Sequence, residues 1–352
     1  MTFRSLSLTF VLALGAVATG CSSQTPGMVG DDDGSGGDDG GGDDTPTPLD
    51  PTGTYKVGNQ FDIATNAPGT VGDVVNDFID MTDGANDPSD WILTQIINQL
   101  DAGPIKSALQ AAEPTVAGIL NGELVNLAPD FINTFKEVGQ DFGDISKHFG
   151  LNSQLVVAKT PTDTAFVATH TFNGAHFHVE NTDVDIKFSD YNVQDIVVSN
   201  LTVGIDLQGN FTVSENKVPV PYGTVLRIGL DAAIIPLIDS TAHNLDDLLE
   251  HQVNCAAVGQ AIADALGIGT AAFYTGACHG GLQYGANFLY SEIAKLDSSV
   301  LAFDMTGAAK AVDTNADHKV DKLNTGTWAG TLVYGTSDPT ALSSATFAGA
   351  RQ

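Results

Sequence analysis

Between residues 155 and 232 apolar side chains recur at alternate positions, and this rhythm constrains the fold more than any other feature. A chain that alternates over such a length must pair into antiparallel strands with one apolar face. Phe172-Asn173-Gly174-Ala175 reads as a two-residue hairpin turn, because Asn-Gly suits the positive φ angles that such a turn needs. That register sets Phe172 against Ala175, His170 against Phe177 and Ala168 against Val179. Further strands follow through Val193, Val197, Leu201, Val203, Ile205 and Leu207, a turn near Gly209-Asn210, Phe211 and Val213. Alternation then resumes at Val220, Tyr222, Leu226, Ile228 and Leu230. The phase slips at Asn181-Thr182, where Val184, Ile186 and Phe188 take over the apolar face. A bulge or bend there would curve the sheet.

Helical spacing flanks this region on both sides. Residues 71–150 show Val74, Val75, Phe78 and Ile79, then Trp91, Ile92, Ile96, Ile97 and Leu100. Pro104, Pro114 and Pro129 each suit the first turn of a new helix, which predicts several short helices. Phe131, Phe135, Phe142 and Phe149 form an aromatic stripe that serves as core or lines an apolar ligand cavity. Leu245, Leu248, Leu249 and Val253 open a second helical stretch that runs through Ile262 to Leu266, with Gly267 as its stop. Another helix is expected over 281–296, and closing strands near 300–312 and 327–334. The expected fold class is α+β: a long curved antiparallel sheet packed against helices, with residues 54–352 as a single body.

The N-terminus is of a different kind. Arg4 precedes an uncharged apolar run that ends in Ala18-Thr19-Gly20-Cys21, the pattern of a secretory signal over residues 1–20. Its ending resembles the bacterial lipobox, with Ala18 standing where Leu is commonest. The resemblance implies cleavage before Cys21 and lipidation of that cysteine, hence a membrane partner reached through an N-terminal lipid anchor. Ser22 rather than Asp follows the cysteine, which in such lipoproteins implies the outer membrane. Residues 22–53 hold eight Asp and no Lys or Arg among Gly, Ser, Thr and Pro. Such a segment cannot bury enough apolar surface to offset chain entropy, so residues 21–53 read as a lipidated cysteine and a disordered tether.

Charge excludes one class of partner. The chain carries 43 acidic and 14 basic residues, a net charge of −29, which repels phosphate backbones and so opposes nucleic-acid binding.

Three groups of residues could carry chemistry. Cys255 and Cys278 are the thiols that remain once Cys21 is acylated, and an isolated pair in an exported chain most often forms a disulfide. The bridge would staple a helical hairpin; the rival arrangement is a zinc site joining both cysteines with His251 and His279. Asp247, His251 and Cys255 also fall on one helical face and could orient a Cys–His pair if Cys255 were free. His170, His176 and His178 invite a metal site, but the hairpin register sends His170 to the opposite face from the other two. A solvated polar face is the competing reading.

The third group is Asp313-Thr314-Asn315-Ala316-Asp317-His318-Lys319-Val320-Asp321. It resembles the calcium loop of EF-hand and dockerin-type modules, which implies a structural Ca²⁺ held by Asp313, Asn315, Asp317, Lys319 (through its carbonyl), Asp321 and Asn324. His318 replaces the usual Gly, Asn324 stands where Glu is usual, and the flanks read as strands. The chain carries no G-x-S-x-G, H-E-x-x-H, P-loop or dinucleotide fingerprint, and implies no organic cofactor.

The order of helices, bent antiparallel strands, a cysteine-bearing helical segment and closing strands resembles the tubular lipid-binding superfamily. That likeness implies a body that binds or carries a lipid or other apolar ligand at the cell envelope. The alternatives are a calcium-stabilised structural or adhesive lipoprotein with a solid core and, third, a hydrolase with a dispersed site.

Overall fold

Among the described residues ten strands account for the alternation, and eight of them close into a barrel. The computed structural model describes residues 47–352 except 64–66, 69–70, 73–92, 95, 99, 128, 162–164 and 180, and leaves aside the side chains of 114–115 and 119–136. The signal, Cys21, most of the tether, the helical residues Val74, Val75, Phe78, Ile79, Trp91 and Ile92, and the side chains of Phe131 and Phe135 lie outside the described residues.

The strands are β1 (Gly53–Asp62), β2 (His148–Lys159), β3 (Phe166–Val179), β4 (Thr182–Lys187), β5 (Ile196–Ile205), β6 (Asn210–Val220), β7 (Leu301–Val312), β8 (Lys322–Tyr334), β9 (Thr340–Ala341) and β10 (Ser343–Arg351). Neighbours run in the order β10-β1-β2-β3-β5-β6-β7-β8, and β10 pairs also with β8, which closes the ring. β4 folds back on β3, and β9 adds to β8. Every pairing is antiparallel.

The expected open, curved sheet is therefore corrected to a closed barrel. β1 and β10, the first and last strands of the ring in sequence, supply the closure. Bulges at Asn152/Ser153, Ala168/His170, Val213/Asn216 and Ala308/Lys310 coil the strands enough to bring the two ends together.

Alternation places apolar groups inside and polar ones outside. Along β1, Tyr55, Val57, Asn59 and Phe61 are buried while Lys56, Gly58 and Gln60 are exposed. A barrel that crosses a membrane shows the opposite order, an apolar outer band around a polar interior. Among the described residues, no helix is long and apolar enough to cross a membrane. An eight-stranded barrel is just wide enough for side chains to fill it. Here Phe61, Phe149, Phe172, Phe211, Phe303 and Leu332 all have zero exposure. Large groups sit opposite small ones: Trp328 faces Gly307 across the β7–β8 ladder, where a Cβ would stand 2.5 Å from the indole.

The helices are α1 (Pro104–Leu127), α2 (Pro129–Lys147), α3 (Tyr222–Gly229), α4 (Ile235–Ile238), α5 (Leu245–Gln252), α6 (Cys255–Leu266) and α7 (Ala271–Lys295). Pro104 and Pro129 begin helices as expected, whereas α1 continues through Pro114. α2 leads directly into β2, so Phe149 belongs to a strand rather than to a helical stripe; Phe142 is buried on α2. The expected strand beyond Val220 is instead α3. Tyr222, Val225, Leu226 and Gly229 are buried at helical spacing, and so short an apolar run fits either period.

α3 closes one end of the barrel. Its Tyr222 ring lies 5.6 Å from Phe149, and its hydroxyl donates to the Ser146 carbonyl on α2. Asp297 accepts from the amides of Gly223 and Thr224 at 2.8 Å, satisfying donors at the α3 N-terminus.

Candidate functional site

Five side chains from five strands form one hydrogen-bonded chain across the barrel interior. Trp328 Nε1 on β8 donates to Asn59 Oδ1 on β1 at 3.0 Å. Asn59 Nδ2 donates to the Leu151 carbonyl at 2.7 Å and to Ser153 Oγ on β2 at 2.9 Å. Ser153 Oγ lies 2.8 Å from His170 Nε2 on β3, and His170 Nδ1 lies 3.0 Å from Asn216 Nδ2 on β6. His170 and Asn216 have zero exposure, and Asn59, Ser153 and Trp328 nearly so.

The bond directions fix the protons. Asn216 Nδ2 can only donate, so His170 Nδ1 accepts and the ring proton sits on Nε2. His170 then donates to Ser153, which passes its own proton toward the Val57 carbonyl at 3.3 Å. This is the reverse of the polarity by which a base activates a serine nucleophile. Burial alone pushes the His170 pKa down to about 3, so the ring is neutral throughout the physiological range. It packs 4.0 Å from Phe172 and 5.8 Å from Trp328. Asn216 Oδ1 is buried with no hydrogen-bond partner. Sequence reasoning missed Asn59, Ser153, Asn216 and Trp328, because a single Asn or Ser on an apolar face reads only as a lapse in the pattern.

The three histidines are separated as expected, but by a different device. Asn173-Gly174 is not a turn. β3 runs straight through it, with Asn173 as the extra residue of a bulge opposite Asn152 and Ser153. The tight turn lies further on, where Val179 pairs with Thr182. A two-residue turn and a one-residue bulge change parity alike, so His170 faces inward while His176 and His178 face outward either way. His176 and His178 stand on the outer face, and His170, on the opposite face as the register implied, is sealed in the lumen.

Cys255 and Cys278 form the expected disulfide, with Cα atoms 5.5 Å apart. It joins the first turn of α6 to the interior of α7, which starts ten residues earlier than the sequence suggested. The zinc alternative is thereby corrected: both thiols are consumed, His251 Nδ1 pairs with Asp239 at 2.9 Å, and His279 Nδ1 pairs with Glu250 at 3.4 Å. The Asp247–His251–Cys255 alignment fails for the same reason. α5 ends at Gln252, and Asp247 instead receives the His243 amide. Thr241, through its hydroxyl and amide, and His251 hold the Asp239 carboxyl well below the usual range.

Closing a loop of about 24 residues, the disulfide contributes about 3.5 kcal/mol by the chain-entropy relation. The double variant Cys255→Ala/Cys278→Ala should lose that amount in urea unfolding. Adding reductant to the variant should then change nothing.

The 313–321 segment forms the β7–β8 connection, with Val320 fully buried and His318 at φ +66° where a calcium loop has Gly. Its oxygens are turned on the loop itself. Asp313 Oδ1 accepts from the amides of Asn315 and Ala316, and Oδ2 from that of His318. Asn315 accepts from Asp317, Asp317 from Lys319, and Asp321 from Thr314. Asn324 lies outside the loop, paired with Lys310 in the ladder. Among the described residues, no three His, Cys, Asp or Glu side chains are placed to hold a metal. Asp313, Asn315, Asp317 and Asp321 thus close the loop by accepting from its own amides. Asp313→Ala should free three amides at once. Hydrogen exchange should quicken at residues 315, 316 and 318 while the amide of His170 stays protected.

The barrel also anchors the end of the expected tether. Asp50 bridges Lys319, and Arg351 Nη1 donates to the Thr52 carbonyl, so residues 50 and 52 are held on the barrel. Two open depressions of about 490 and 420 Å³ lie on the outer wall, both touching Thr325 and Thr327.

Fold and site together define a class: an apolar-filled, eight-stranded antiparallel barrel, capped by helices and braced by one disulfide. The chain matches no protein-family model, no curated protein and no solved structure.

Proposed function

We propose that this chain is a lipoprotein of the bacterial outer membrane that holds a solid, disulfide-braced barrel on an acidic tether, as a structural or interaction module rather than a luminal lipid carrier. The observation that carries this reading is the zero exposure of the luminal side chains, Phe61, Phe149, Phe172, His170 and Phe303 among them. An acyl chain needs an apolar cavity of at least some hundreds of Å³. Among the described residues, the rings in the lumen meet at 4.5 to 5.9 Å and fill the space beside them. The lipobox-like ending at Cys21 and the acidic segment after it support the anchor.

Two measurements test the parts separately. Radiolabelled palmitate should enter the wild-type chain and not Cys21→Ser; equal labelling, or none, would overturn the anchor. The body released by cleavage within the tether should show its bare polypeptide mass in native mass spectrometry. A stoichiometric adduct in the acyl-lipid range, lost on denaturation, would restore the carrier.

A further inference from the structure

The β3–β4 hairpin sets four side chains with metal-ligating groups on one outward face of the barrel wall. His176 stands opposite Asp185 and His178 opposite Asp183 in the antiparallel ladder. Spacing of two along each strand, with direct pairing across, brings all four to the same side. Asp183 Oδ1 lies 2.7 Å from His178 Nδ1 and 3.6 Å from His176 Nε2. Donors that share a tetrahedral zinc ion stand roughly 3.3 Å apart, inside that span.

The remaining nitrogen of His176 is already held. Its Nδ1 lies 3.1 Å from Asp185 Oδ1, and the same oxygen accepts from Asn152 Nδ2 on β2 at 2.7 Å. A carboxylate that takes the Nδ1 proton leaves Nε2 as the lone-pair nitrogen and fixes the ring's direction. Proteins orient metal-bound histidines in this way.

We propose that His176 Nε2, His178 Nδ1 and Asp183 form an exposed site for a divalent transition-metal ion of the zinc type, with Asp185 and Asn152 positioning His176. The three donors do not surround a common point as they stand, because His178 bonds Asp183 directly. Lengthening that contact by roughly 0.6 Å brings it to the donor spacing of a bound ion. His178 and Asp183 are more than half exposed and free to make the change. Two imidazoles and a carboxylate suit Zn²⁺, whereas Ca²⁺ requires oxygen ligands throughout. A net charge of −29 raises the local concentration of any cation. Three protein donors leave the fourth position to solvent.

The test is calorimetric titration of the full chain with Zn²⁺ in a non-chelating buffer, with Ca²⁺ as the companion probe. Wild type should bind one Zn²⁺ saturably, His178→Ala should lose at least tenfold in affinity, and Asp185→Asn should lose about tenfold. Ca²⁺ should not compete for the site. In EDTA His178→Ala should unfold at the wild-type midpoint, because that ring is exposed. Absence of saturable Zn²⁺ binding, or binding unchanged in His178→Ala, would overturn the site. Wild-type affinity in Asp185→Asn would overturn the positioning role of Asp185.

Discussion

Lowering the pH from 7 to 3 should remove about 4–5 kcal/mol from the stability of the body through one side chain, His170. In the folded chain burial keeps its pKa at about 3, whereas in the unfolded chain it returns to the ordinary value near 6.5. Between those limits the unfolded state takes up a proton that the folded state refuses, so stability falls as the pH falls. The contribution is complete above pH 6.5, about 3 kcal/mol is gone by pH 4, and the slope ends near pH 3. Carboxylates with lowered pKa, such as Asp185 and Asp321, act in the same direction but only near and below their ordinary value of 3.8. Asp231 and Asp246, whose pKa burial raises, act in the opposite direction, so the imidazole is read from the difference between wild type and His170→Gln between pH 6.5 and about 4.5. Urea midpoints across that window should fall steeply for wild type. The slope should flatten in His170→Gln, whatever the starting stability of the variant. A flat wild-type profile would mean that water reaches the ring.

Truncation of Trp328 should be nearly as damaging, at about 4 kcal/mol for Trp328→Ala. The indole fills the space left by Gly307, packs at a tilt 4.5 Å from Phe347 and stacks on His170 at 5.8 Å. Its Nε1 is the donor that satisfies Asn59 Oδ1, so truncation also orphans a buried acceptor. Trp328→Phe separates the two effects, keeping most of the apolar contact and removing the donor. It should lose about 1–3 kcal/mol, and the difference between the variants measures the cavity. Equal losses for both would mean that Asn59 finds another donor and that packing carries the whole effect.

These two residues show why a polar chain survives inside an otherwise apolar barrel. Each member is close to fully satisfied, and removing one partner strands the next. The exception is Asn216 Oδ1, the end of the chain. The order Trp328–Asn59–Ser153–His170–Asn216 joins strands β8, β1, β2, β3 and β6. Five strands must therefore be in register before the chain exists, which ties local packing to global closure.

Much was legible in the residues alone. Alternation from Leu155 onward dictated antiparallel strands, because side chains of period two can bury one face only by pairing. Gly267, at φ +64°, terminated a helix as its position foretold. An isolated cysteine pair behind an N-terminus that reads as an export signal implied the disulfide. The separation of His170 from His176 and His178 followed from parity, even though the turn and the bulge changed places.

The closed barrel and the luminal chain were decided only by the tertiary structure. β1 and β10 lie at opposite ends of the body, about 290 residues apart, and neither advertises itself. β1 interrupts its apolar face with Asn59, and β10 offers only Ala345, Phe347 and Gly349 between Ser, Thr and Ala. Their pairing, Tyr55 with Arg351 through Asp62 with Ser343, turns an open sheet into a ring without edges. Local periodicity reports which face of a strand is buried, but not which strand lies beside it. Neighbours so distant in sequence are chosen by coiling, bulge placement and the fit of Trp328 over Gly307, terms that exist only once the strands have met.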